Sequence, residues 1–378
     1  MSAKTTISSL LKKSYISFVK LLSAPNDYSP TKIVYFMSFQ NNDGGLIRAL
    51  GESYGKENIL ICYKKNCQSE ANQFSAAGYA IRSLEPSINF FRKTLKEITS
   101  AKWIICDNYF PILGGLNLSD ETNVIQIWHA VGAVKKFGWD DPATLLRSKG
   151  DQERFSEVYK RFDYYVVSSD RMAEVFKASY HATESQMLKF GFPRADELLK
   201  NRVNHTGEVN ESDQILYAPT YRENNKVIID TLQTLNEYAR YSEEKVTYIL
   251  HPVTKSELSE LKSYDNLIEV SVNDSAYQDI YKQVSYLISD YSSVIFDYAL
   301  LNPKGKIQFY WPDFDSYNQK TGIQESFKER YMAGAAKTTA DLLEALSKKD
   351  TIDLDQLNNE WNQYNDGQAI TRLVEFIK

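Results

Sequence analysis

The stretch Val124–Gly138, VIQIWHAVGAVKKFG, decides the fold, because a run of strand-forming residues passes directly into a polar turn that contains glycine. The apolar residues at its start predict a buried strand that ends near Trp128 and His129. In open α/β sheets the carboxyl ends of the strands line the ligand crevice, so His129 stands where chemistry usually occurs. Histidine titrates near neutral pH, and both a catalytic and a structural role stay open for it.

Two lysines follow this histidine closely. Lys135 and Lys136 lie in the turn beyond the strand, where an ammonium group can hold a phosphate or simply solvate a surface turn.

Strand patterns alternate with helical patterns on both sides of this stretch. In the first half, strands are predicted at Lys32–Phe39, Asn58–Tyr63, Tyr79–Leu84, Lys102–Cys106, Val124–Trp128 and Asp163–Ser168. In the second half, the predicted strands are QILYA before Pro219, KVTYILHP ending at His251-Pro252, Leu267–Val270 and VSYLISD before Tyr291. Helices are predicted near Lys226–Tyr241 and Ser275–Gln283. The tail Leu354–Lys378 is expected to form helices that close the fold, and its return across the first domain is left open. Such alternation predicts an α/β fold with mostly parallel sheets covered on both faces.

Chain length and one polar run define the expected domains. A chain of 378 residues exceeds what one core usually supports, so two domains of roughly 150–200 residues each are expected. The polar run Asn201–Asp213 is the best candidate for a linker between them. The predicted domains are therefore residues 30–203 and 210–378, preceded by a separate segment at residues 1–25.

The N-terminal segment has the pattern of an amphipathic helix. Apolar residues recur at helical spacing at Ile7, Leu10, Leu11, Tyr15, Phe18, Val19 and Leu22. The lysines fall away from this stripe and no acidic residue is present, a pattern typical of helices that lie in an anionic membrane interface. A helix packed on its own domain is the alternative. The segment lacks the ~18 consecutive apolar residues of a membrane-spanning helix.

Charge and cysteine content narrow the class of protein. The net charge of -5 argues against a general nucleic-acid binder, which would normally be basic. Cys62 and Cys67 lie close in sequence, but no second Cys or His pair completes a zinc site, and Cys106 makes the count odd. These features favour a reducing, cytoplasmic compartment over a secreted disulfide framework.

Polar residues also follow other predicted strands. Asp107 comes after the strand Lys102–Cys106, where either a crevice position or turn capping explains it. Strand ends in the second half present Arg222, His251 and the junction Asp290–Ser293. Serines at a helix start can hold a phosphate or act as plain N-caps. Because one hydrogen-bond donor cannot hold two phosphates in water, three converging strand ends predict a site for a nucleotide diphosphate.

Six segments give the chain a specific resemblance. They are DNYFPILGGLN (Asp107–Asn117), QIWHAVGAVKKFG (Gln126–Gly138), FGFPRAD (Phe190–Asp196), APTYRE (Ala218–Glu223), HP (His251–Pro252) and SDYSSVIFDYALLN (Ser289–Asn302). On these segments the chain resembles the CDP-glycerol glycerophosphotransferases of wall teichoic acid synthesis. The resemblance implies a glycosyltransferase-B fold with two Rossmann-like domains facing across a cleft. The first domain would bind the acceptor, and the second would bind CDP-glycerol.

The reaction implied by the resemblance assigns roles to the basic residues. An acceptor hydroxyl attacks the β-phosphorus of CDP-glycerol and CMP is released. His129 is then the expected base, oriented by Asp107, while His251 and Arg222 neutralise the diphosphate. No cluster has the character of a magnesium site, so a metal-independent reaction without a cofactor is expected.

The remaining site residues are expected to bind substrate. Ser292 and Ser293 would hydrogen-bond a phosphate from the helix terminus. Asp290 and Asp297 would bind glycerol hydroxyls or position the basic groups, although Asp297 is equally compatible with a surface helix position. Further candidates are Gln126, Lys135 and Arg194.

Within the family, the compact length, the DNY…LGG segment and WHA in place of WHG resemble the primase branch. That branch adds the first glycerol phosphate to the ManNAc-GlcNAc disaccharide on undecaprenyl diphosphate. The implied partners are this lipid-linked acceptor and the anionic membrane surface, with the protein peripheral on the cytoplasmic face. Contact with other teichoic acid enzymes is left open.

Alternatives remain at the level of the sequence. They are a glycerol- or ribitol-phosphate polymerase or second-step transferase, a nucleotide-sugar glycosyltransferase of the same fold, and a non-catalytic protein that binds lipid-linked intermediates. The chain also departs from the family pattern after ALLN and at Lys320-Thr321-Gly322, where an Arg-Gly pair is often found. The region Asp313–Gly322 is therefore where contacts with donor or acceptor are expected to differ.

Overall fold

The computed structural model describes residues 14–23, 28–200, 202, 214–242, 244–257, 264–271 and 279–378. These residues form two compact units. Unit 1 contains the described residues up to Val131, together with Phe137–Glu197 and Gln363–Lys378. Unit 2 contains Gly132–Lys136 and the described part of Leu198–Asn362.

Unit 1 is built on a parallel seven-stranded sheet. Its strands are β1 Ser29–Met37, β2 Ile59–Tyr63, β3 Ala80–Ser83, β4 Ala101–Cys106, β5 Asn123–Gln126, β6 Tyr164–Val166 and β7 Met187–Leu188. Their order is β3-β2-β1-β4-β5-β6-β7, so the direction of strand addition reverses beside β1. Ligands of open parallel sheets bind at the carboxyl ends of the strands near such a reversal. Asp107 and His129 both follow strands at this end.

Helices connect the strands of unit 1. They are α1 at residues 14–22, α2 Gly44–Tyr54, α3 Gln68–Ala76, α4 Leu95–Thr99, α5 Pro142–Leu145, α6 Lys149–Tyr159, α7 Asp170–Tyr180 and α8 Pro193–Lys200, the last of which runs to the boundary of unit 2. A π-helical turn, Phe90–Thr94, precedes α4. Helix α2 shows why they form, because Leu46, Ile47 and Leu50 share one face and are fully buried in the core below the sheet.

Unit 2 repeats this plan on a smaller sheet. Its strands are β8 Gln214–Ala218, β9 Lys245–Tyr248, β10 Leu267–Glu269, β11 Tyr286–Ser289 and β12 Lys306–Phe309. They are parallel and ordered β10-β9-β8-β11-β12. The helices are α9 Lys226–Tyr241, α10 Pro252–Glu257, α11 Ile280–Gln283, α12 Val294–Leu301, α13 Phe314–Lys320, α14 Glu325–Tyr331, α15 Thr339–Lys348 and α16 Leu354–Trp361. The predicted α/β class with parallel sheets is confirmed.

Helix α9 was predicted with its observed bounds, and its packing shows why the pattern was clear. Ile228, Thr231, Leu232 and Leu235 recur at the spacing of one helical face, and all four are buried. They pack with β8 and β9 in the core of unit 2. The predicted helix at Ser275–Gln283 is observed from Ile280 onward, and residues 272–278 lie outside the described part of the chain.

The predicted strand Val124–Trp128 ends two residues early, at Gln126. Trp128 has a φ of 64°, a left-handed conformation that a strand cannot contain. The side chain of Gln126 stabilises this turn, because its Oε1 accepts a hydrogen bond from the Trp128 N–H at 2.9 Å. The turn sets the direction in which His129 leaves the sheet.

The predicted second domain, residues 210–378, differs from the structure at its end. Helix α17, Ala369–Phe376, belongs to unit 1 rather than unit 2. Leu373, Val374 and Ile377 are buried in the core of unit 1, which explains the return of the chain. The short segment Gly132–Lys136 makes the opposite exchange and joins unit 2. Most of the predicted linker, residues 201 and 203–213, lies outside the described residues.

The N-terminal segment is described from residue 14, so Ile7, Leu10 and Leu11 of the predicted stripe lie outside the described residues. In α1, Val19 is fully buried, whereas Phe18 and Leu21 are 47% and 75% exposed. This helix therefore packs on unit 1 through one side and leaves apolar side chains on another. Among the described residues, none of the helices is long and apolar enough to cross a membrane.

Candidate functional site

In unit 1, His129 is held from two sides at the carboxyl end of the sheet. Its imidazole stacks on the ring of Phe39, with the ring centroids 4.0 Å apart and the planes at 13°. Its Nδ1 lies 3.2 Å from the main-chain oxygen of Asp107. A carbonyl oxygen can only accept a hydrogen bond, so this contact requires a proton on Nδ1. The neutral ring then carries its lone pair on Nε2, the arrangement that a general base needs.

The Asp107 side chain acts on His129 through a neighbouring loop. Its carboxylate accepts hydrogen bonds from the Ser38 N–H at 2.5 Å, the Ser38 hydroxyl at 2.8 Å and the Phe39 N–H at 2.9 Å. Burial raises the pKa of Asp107 to about 6, although these hydrogen bonds oppose the shift. Asp107 thus fixes the loop that carries Phe39, while its main chain orients the imidazole.

Gln126 is fully buried beneath the same turn. Its Nε2 donates to the Asn108 main-chain oxygen at 2.9 Å, and its Oε1 accepts from Trp128. Both polar ends of the side chain are therefore used inside unit 1. This geometry makes Gln126 a residue that positions His129, whereas substrate binding had been expected.

A second buried carboxyl, Asp43, stands at the neighbouring strand end and was not singled out from the sequence. Its Oδ2 accepts hydrogen bonds from the Tyr35 hydroxyl and from the Asn42 side chain, each at 2.5 Å. Burial raises the pKa of Asp43 to about 7, and the nearby Arg194 charge opposes that shift. The available signal was the position of Asp43 in the turn between β1 and α2, beside the reversal of strand order. Arg194, a predicted substrate-binding residue, thus lies within the electrostatic reach of this carboxyl.

In unit 2, a cavity of about 760 Å³ opens at the carboxyl ends of the strands. Its wall contains five of the predicted site residues together with other polar and aromatic side chains, some of them from the region Asp313–Gly322. The predicted residues on the wall are Lys135, Arg222, His251, Ser292 and Ser293, the first of them supplied by the segment Gly132–Lys136. The others include Thr220, Tyr221, Glu223, Tyr281, Asp313, Tyr317 and Lys320.

Arg222 is the centre of a buried ion-pair network beside the cavity. Its Nη1 lies 2.6 Å from Asp290 Oδ2, and its Nε lies 2.7 Å from Asp313 Oδ2. Burial alone would lower the pKa of Arg222, but the two carboxylates outweigh it and raise the pKa above its ordinary value. The guanidinium charge is therefore already compensated within the protein, which differs from the expected role of neutralising a diphosphate.

Asp290 is likewise committed to internal contacts. Besides Arg222, its carboxylate accepts hydrogen bonds from the Thr220 N–H at 2.8 Å and the Tyr291 N–H at 2.6 Å. With 2% of its surface exposed, Asp290 ties the ends of β8 and β11 together. Its geometry favours the positioning role over the glycerol-binding role.

His251 and Lys135 stand on the same cavity wall. His251 Nδ1 accepts a hydrogen bond from the Val253 N–H at 3.3 Å. Desolvation and then the positive charge of Lys135 lower the pKa of His251. Desolvation also lowers the pKa of Lys135, with Asp290 acting in the opposite direction.

Ser292 and Ser293 precede α12 as predicted, but their hydrogen bonds to the start of the helix differ from the expected ones. Ser293 is the N-cap residue, but its side chain makes no capping hydrogen bond. The Ser292 hydroxyl instead accepts a long hydrogen bond of 3.4 Å from the Val294 N–H. Asp297 lies one turn further along α12 and is 7% exposed, so the alternative of a surface position is wrong.

The sequence of the chain is similar to those of known proteins. The family described as CDP-Glycerol:Poly(glycerophosphate) glycerophosphotransferase matches residues 30–378. The chain belongs to this family. It is 30% identical to the teichoic acid glycerol-phosphate primase of Bacillus subtilis (strain 168), an alignment that covers 98% of each chain. It is 29% identical to the protein of the same description from Staphylococcus aureus (strain NCTC 8325 / PS 47), covering 97% of this chain and 98% of the relative.

A solved structure of the wall teichoic acid polymerase TagF has the same fold. It aligns with a TM-score of 0.69 over 99% of this chain and 96% of that chain, at 20% sequence identity. The predicted family and enzyme class, a CDP-glycerol glycerophosphotransferase of teichoic acid synthesis, are thereby confirmed. The described residues contain no group of three or more His, Cys, Asp or Glu side chains arranged to bind a metal ion.

Proposed function

We propose that this glycerophosphotransferase is a teichoic acid glycerol-phosphate primase. It transfers one glycerol phosphate from CDP-glycerol to a hydroxyl of the ManNAc-GlcNAc disaccharide on undecaprenyl diphosphate. The proposal draws on the similarity to primases over nearly the whole chain. The observation that carries the donor assignment is the cavity of unit 2, where Lys135, His251 and two serines surround a space of about 760 Å³. Cationic and hydroxyl groups of this kind suit a diphosphate.

In the proposed reaction, the acceptor hydroxyl attacks the β-phosphorus of CDP-glycerol. A bond forms between the acceptor oxygen and this phosphorus, while the bond from the phosphorus to the oxygen of CMP breaks. His129 Nε2 takes the hydroxyl proton, because the contact of Nδ1 with the Asp107 carbonyl leaves Nε2 unprotonated. The leaving CMP departs with its negative charge stabilised on the donor side by unit 2.

The proposed architecture is that of the glycosyltransferase-B type, with two Rossmann-like domains facing across a cleft. Unit 2 would bind CDP-glycerol, and unit 1 would bind the acceptor and present His129. Each sheet carries its proposed reactive groups at the carboxyl ends of its strands, as this architecture needs.

Attachment to the cytoplasmic face of the membrane is part of the proposal. The acceptor is lipid-linked, so the enzyme must reach a membrane surface. The exposed Phe18 and Leu21 of α1 and the lysines of the N-terminal segment have the chemistry that interfacial binding uses. Cosedimentation with vesicles of anionic lipid tests this point, and equal binding of a variant with Phe18→Ser and Leu21→Ser would contradict it.

The decisive assay combines purified protein, CDP-glycerol and a short-chain analogue of the disaccharide lipid, with CMP release and product mass as readouts. A single added glycerol phosphate is expected, with turnover unchanged by EDTA. His129→Ala is expected to lose most turnover. His181→Ala provides a matched control, because His181 stacks on Trp139, was not a candidate site residue and should leave turnover intact.

Other products of this assay would redirect the assignment. Several additions to one acceptor would identify a polymerase, and turnover with CDP-ribitol alone would change the donor. Turnover with a nucleotide sugar and none with CDP-glycerol would keep the fold and remove the proposed reaction. Full function of His129→Ala and His251→Ala in cells would favour a non-catalytic role in binding lipid-linked intermediates.

A further inference from the structure

The positively charged residues on the cavity wall of unit 2 differ in whether a carboxylate pairs with them. Among the described residues that line it, the charged groups are Lys135, Arg222, Glu223, His251, Asp313 and Lys320. Arg222 pairs with Asp313 and with the adjacent Asp290. Lys320 pairs with Glu223 at 2.5 Å. Two of the three permanent cations therefore face a carboxylate partner at contact distance.

Lys135 is the cation left without an ion pair among the described residues of this wall. The nearest acidic influence on it comes from Asp290, whose carboxylate already contacts Arg222 and two main-chain N–H groups. The ammonium is half-buried, so its charge is less screened by solvent than that of an exposed lysine. Among the described residues, the wall consequently presents one ammonium group that no carboxylate contacts in an ion pair.

The main chain holds Lys135 in this position. The segment Gly132–Lys136 crosses into unit 2, where the Gln324 N–H donates to the Val134 oxygen at 2.9 Å and the Lys136 N–H donates to the Gly322 oxygen at 3.0 Å. The Gln324 side chain also donates to the Lys135 oxygen at 3.3 Å. These contacts use backbone atoms of the segment, so the Lys135 side chain is available for a ligand.

His251 is arranged to remain neutral beside this lysine. Its Nδ1 accepts a hydrogen bond from the Val253 N–H, and a protonated Nδ1 could not do so. The neutral ring then carries its proton on Nε2, where it can donate a hydrogen bond but adds no charge. The adjacent positive charge of Lys135 and partial desolvation act in the same direction on the pKa of His251.

We propose that Lys135 supplies the positive charge that holds the donor diphosphate, and that His251 assists as a neutral imidazole donating one hydrogen bond from Nε2. The inference rests on the proposed function, because it concerns how that donor is bound. It moves the charge-bearing role from Arg222 and His251 to a lysine of the first half of the sequence. Arg222 becomes a positioning residue that ties Asp290 to Asp313.

The test measures binding of CDP-glycerol by calorimetry to the full chain and to variants of two lysines on the same wall. Lys135→Gln is expected to weaken binding about tenfold or more, whereas Lys320→Gln should change it about twofold or less, because Lys320 is already paired. Lys135→Arg restores the charge and should recover most of the lost affinity. Binding of cytidine, which has no phosphate, should be equal in wild type and both glutamine variants.

The pH dependence of CDP-glycerol affinity distinguishes a charged Lys135 from a neutral His251. Each phosphate of CDP-glycerol has one ester bond, one anhydride bond and a single strongly acidic oxygen. Its charge is therefore constant between about pH 6 and pH 8.5, whereas an ordinary histidine titrates in this range. A neutral His251 predicts constant affinity across it. A nuclear magnetic resonance titration should also show a higher pKa for His251 in Lys135→Gln than in wild type, because a neighbouring positive charge is removed. This last readout needs no ligand.

Three results would overturn the inference while leaving the proposed function intact. They are equal affinity of wild type and Lys135→Gln, equal losses in the two glutamine variants, and an affinity that falls as the pH rises through the pKa of His251. Wild-type protein that turns over and binds a different donor, with no affinity for CDP-glycerol, would instead overturn the proposed function and this inference with it. Unchanged melting temperatures of the lysine variants establish that they remain folded.

Discussion

The two candidate histidines, one in each unit, are held in opposite tautomers by main-chain partners. A carbonyl oxygen faces Nδ1 of His129, whereas an N–H group faces Nδ1 of His251. The first arrangement leaves a lone pair on Nε2, and the second places a proton there. One ring is therefore suited to accept the proton of an attacking hydroxyl, and the other to donate a hydrogen bond to a phosphate.

Replacing Asp107 is predicted to lower turnover by loosening the loop that holds His129. Asp107→Ala removes the carboxylate that accepts hydrogen bonds from the N–H groups of Ser38 and Phe39. Leaving a buried donor unpaired costs about 1–3 kcal/mol, and the loop that stacks on His129 should loosen. Turnover is expected to fall at least about tenfold while CDP-glycerol affinity, a property of unit 2, stays unchanged.

Asp163→Ala is the matched control for this substitution. Asp163 also accepts a main-chain hydrogen bond in unit 1, from Val124, but it stands at the amino end of β6. The control should lower stability without a comparable loss of turnover. Equal losses of turnover in the two variants would show that Asp107 acts through general stability and not through the His129 loop.

Asp43 gives a prediction about pH. Its pKa is raised by burial from 3.8 to about 7, so between these values the folded protein holds a proton that the unfolded chain has released. The free energy of unfolding must then fall as the pH rises through this window, by at most about 1.4 kcal/mol per pH unit for one group. Asp107 adds a component of the same sign, with its pKa of about 6.

Asp43→Asn should remove the first component. Between about pH 6 and pH 8, the free energy of unfolding of the variant should decline less steeply with pH than that of wild type. The decline caused by Asp107 should remain at lower pH. Urea denaturation followed by tryptophan fluorescence at a series of pH values measures this slope. A variant whose slope above about pH 6 equals that of wild type would contradict the assignment.

At the scale of elements, the strands and helices with clear periodicity were predictable, and their ends were less so. Helix α9 follows from four apolar-face residues at helical spacing. The end of β5 did not follow, because the left-handed conformation of Trp128 depends on a side-chain contact with Gln126 that periodicity does not encode. Strand-end positions predicted His129, Asp107 and His251 as site candidates, and each of them follows a strand of its unit. Their partners depend on contacts between distant segments, such as Arg222 with Asp313.

A substitution in the segment Gly132–Lys136 is predicted to affect both stability and donor binding. A Cβ atom at position 132 would lie 2.7 Å from Trp361 Cε3 and 2.8 Å from two ring atoms of Phe296. Gly132→Ala should therefore push the segment away from α12 and α16, with a loss of about 1–3 kcal/mol in the free energy of unfolding. Displacement of Lys135 should also weaken CDP-glycerol binding, measured by calorimetry.

Gly334→Ala controls for the added methyl group, because no heavy atom lies within 4 Å of a Cβ at that position of unit 2. This control is expected to retain both stability and donor affinity. Unchanged donor affinity in Gly132→Ala would indicate that the cavity tolerates movement of the segment, contrary to the role inferred for Lys135.

For the whole molecule, the sequence supported two α/β domains. The predicted bounds put the C-terminal tail in the second domain and left its return across the first domain open, whereas Gln363–Lys378 belongs to unit 1. The tail was expected to form helices, and α17 is one. The sequence of this apolar face does not indicate which core the helix joins, because Leu373 and Val374 could pack in the core of either unit. The destination depends on the space left beneath β1 and β4 in unit 1, which is a property of the folded chain.

The two separate cores predict separate responses to mutation. Leu373 and Leu342 are both fully buried leucines, the first in the core of unit 1 and the second in that of unit 2. Replacing either by alanine should cost about 2–5 kcal/mol. A donor that binds unit 2 stabilises that unit by mass action. In calorimetry, CDP-glycerol should therefore raise the midpoint temperature of one unfolding transition more than that of the other.

Leu342→Ala should lower the transition that CDP-glycerol raises, and Leu373→Ala should lower the other one. The comparison is internally controlled, because the same side chain is truncated to the same extent in both units. Since each unit has its own sheet and its own core, each can lose structure without the other. A single transition, lowered equally by both substitutions and raised as a whole by the donor, would contradict independent unfolding and show that the tail couples the two units energetically.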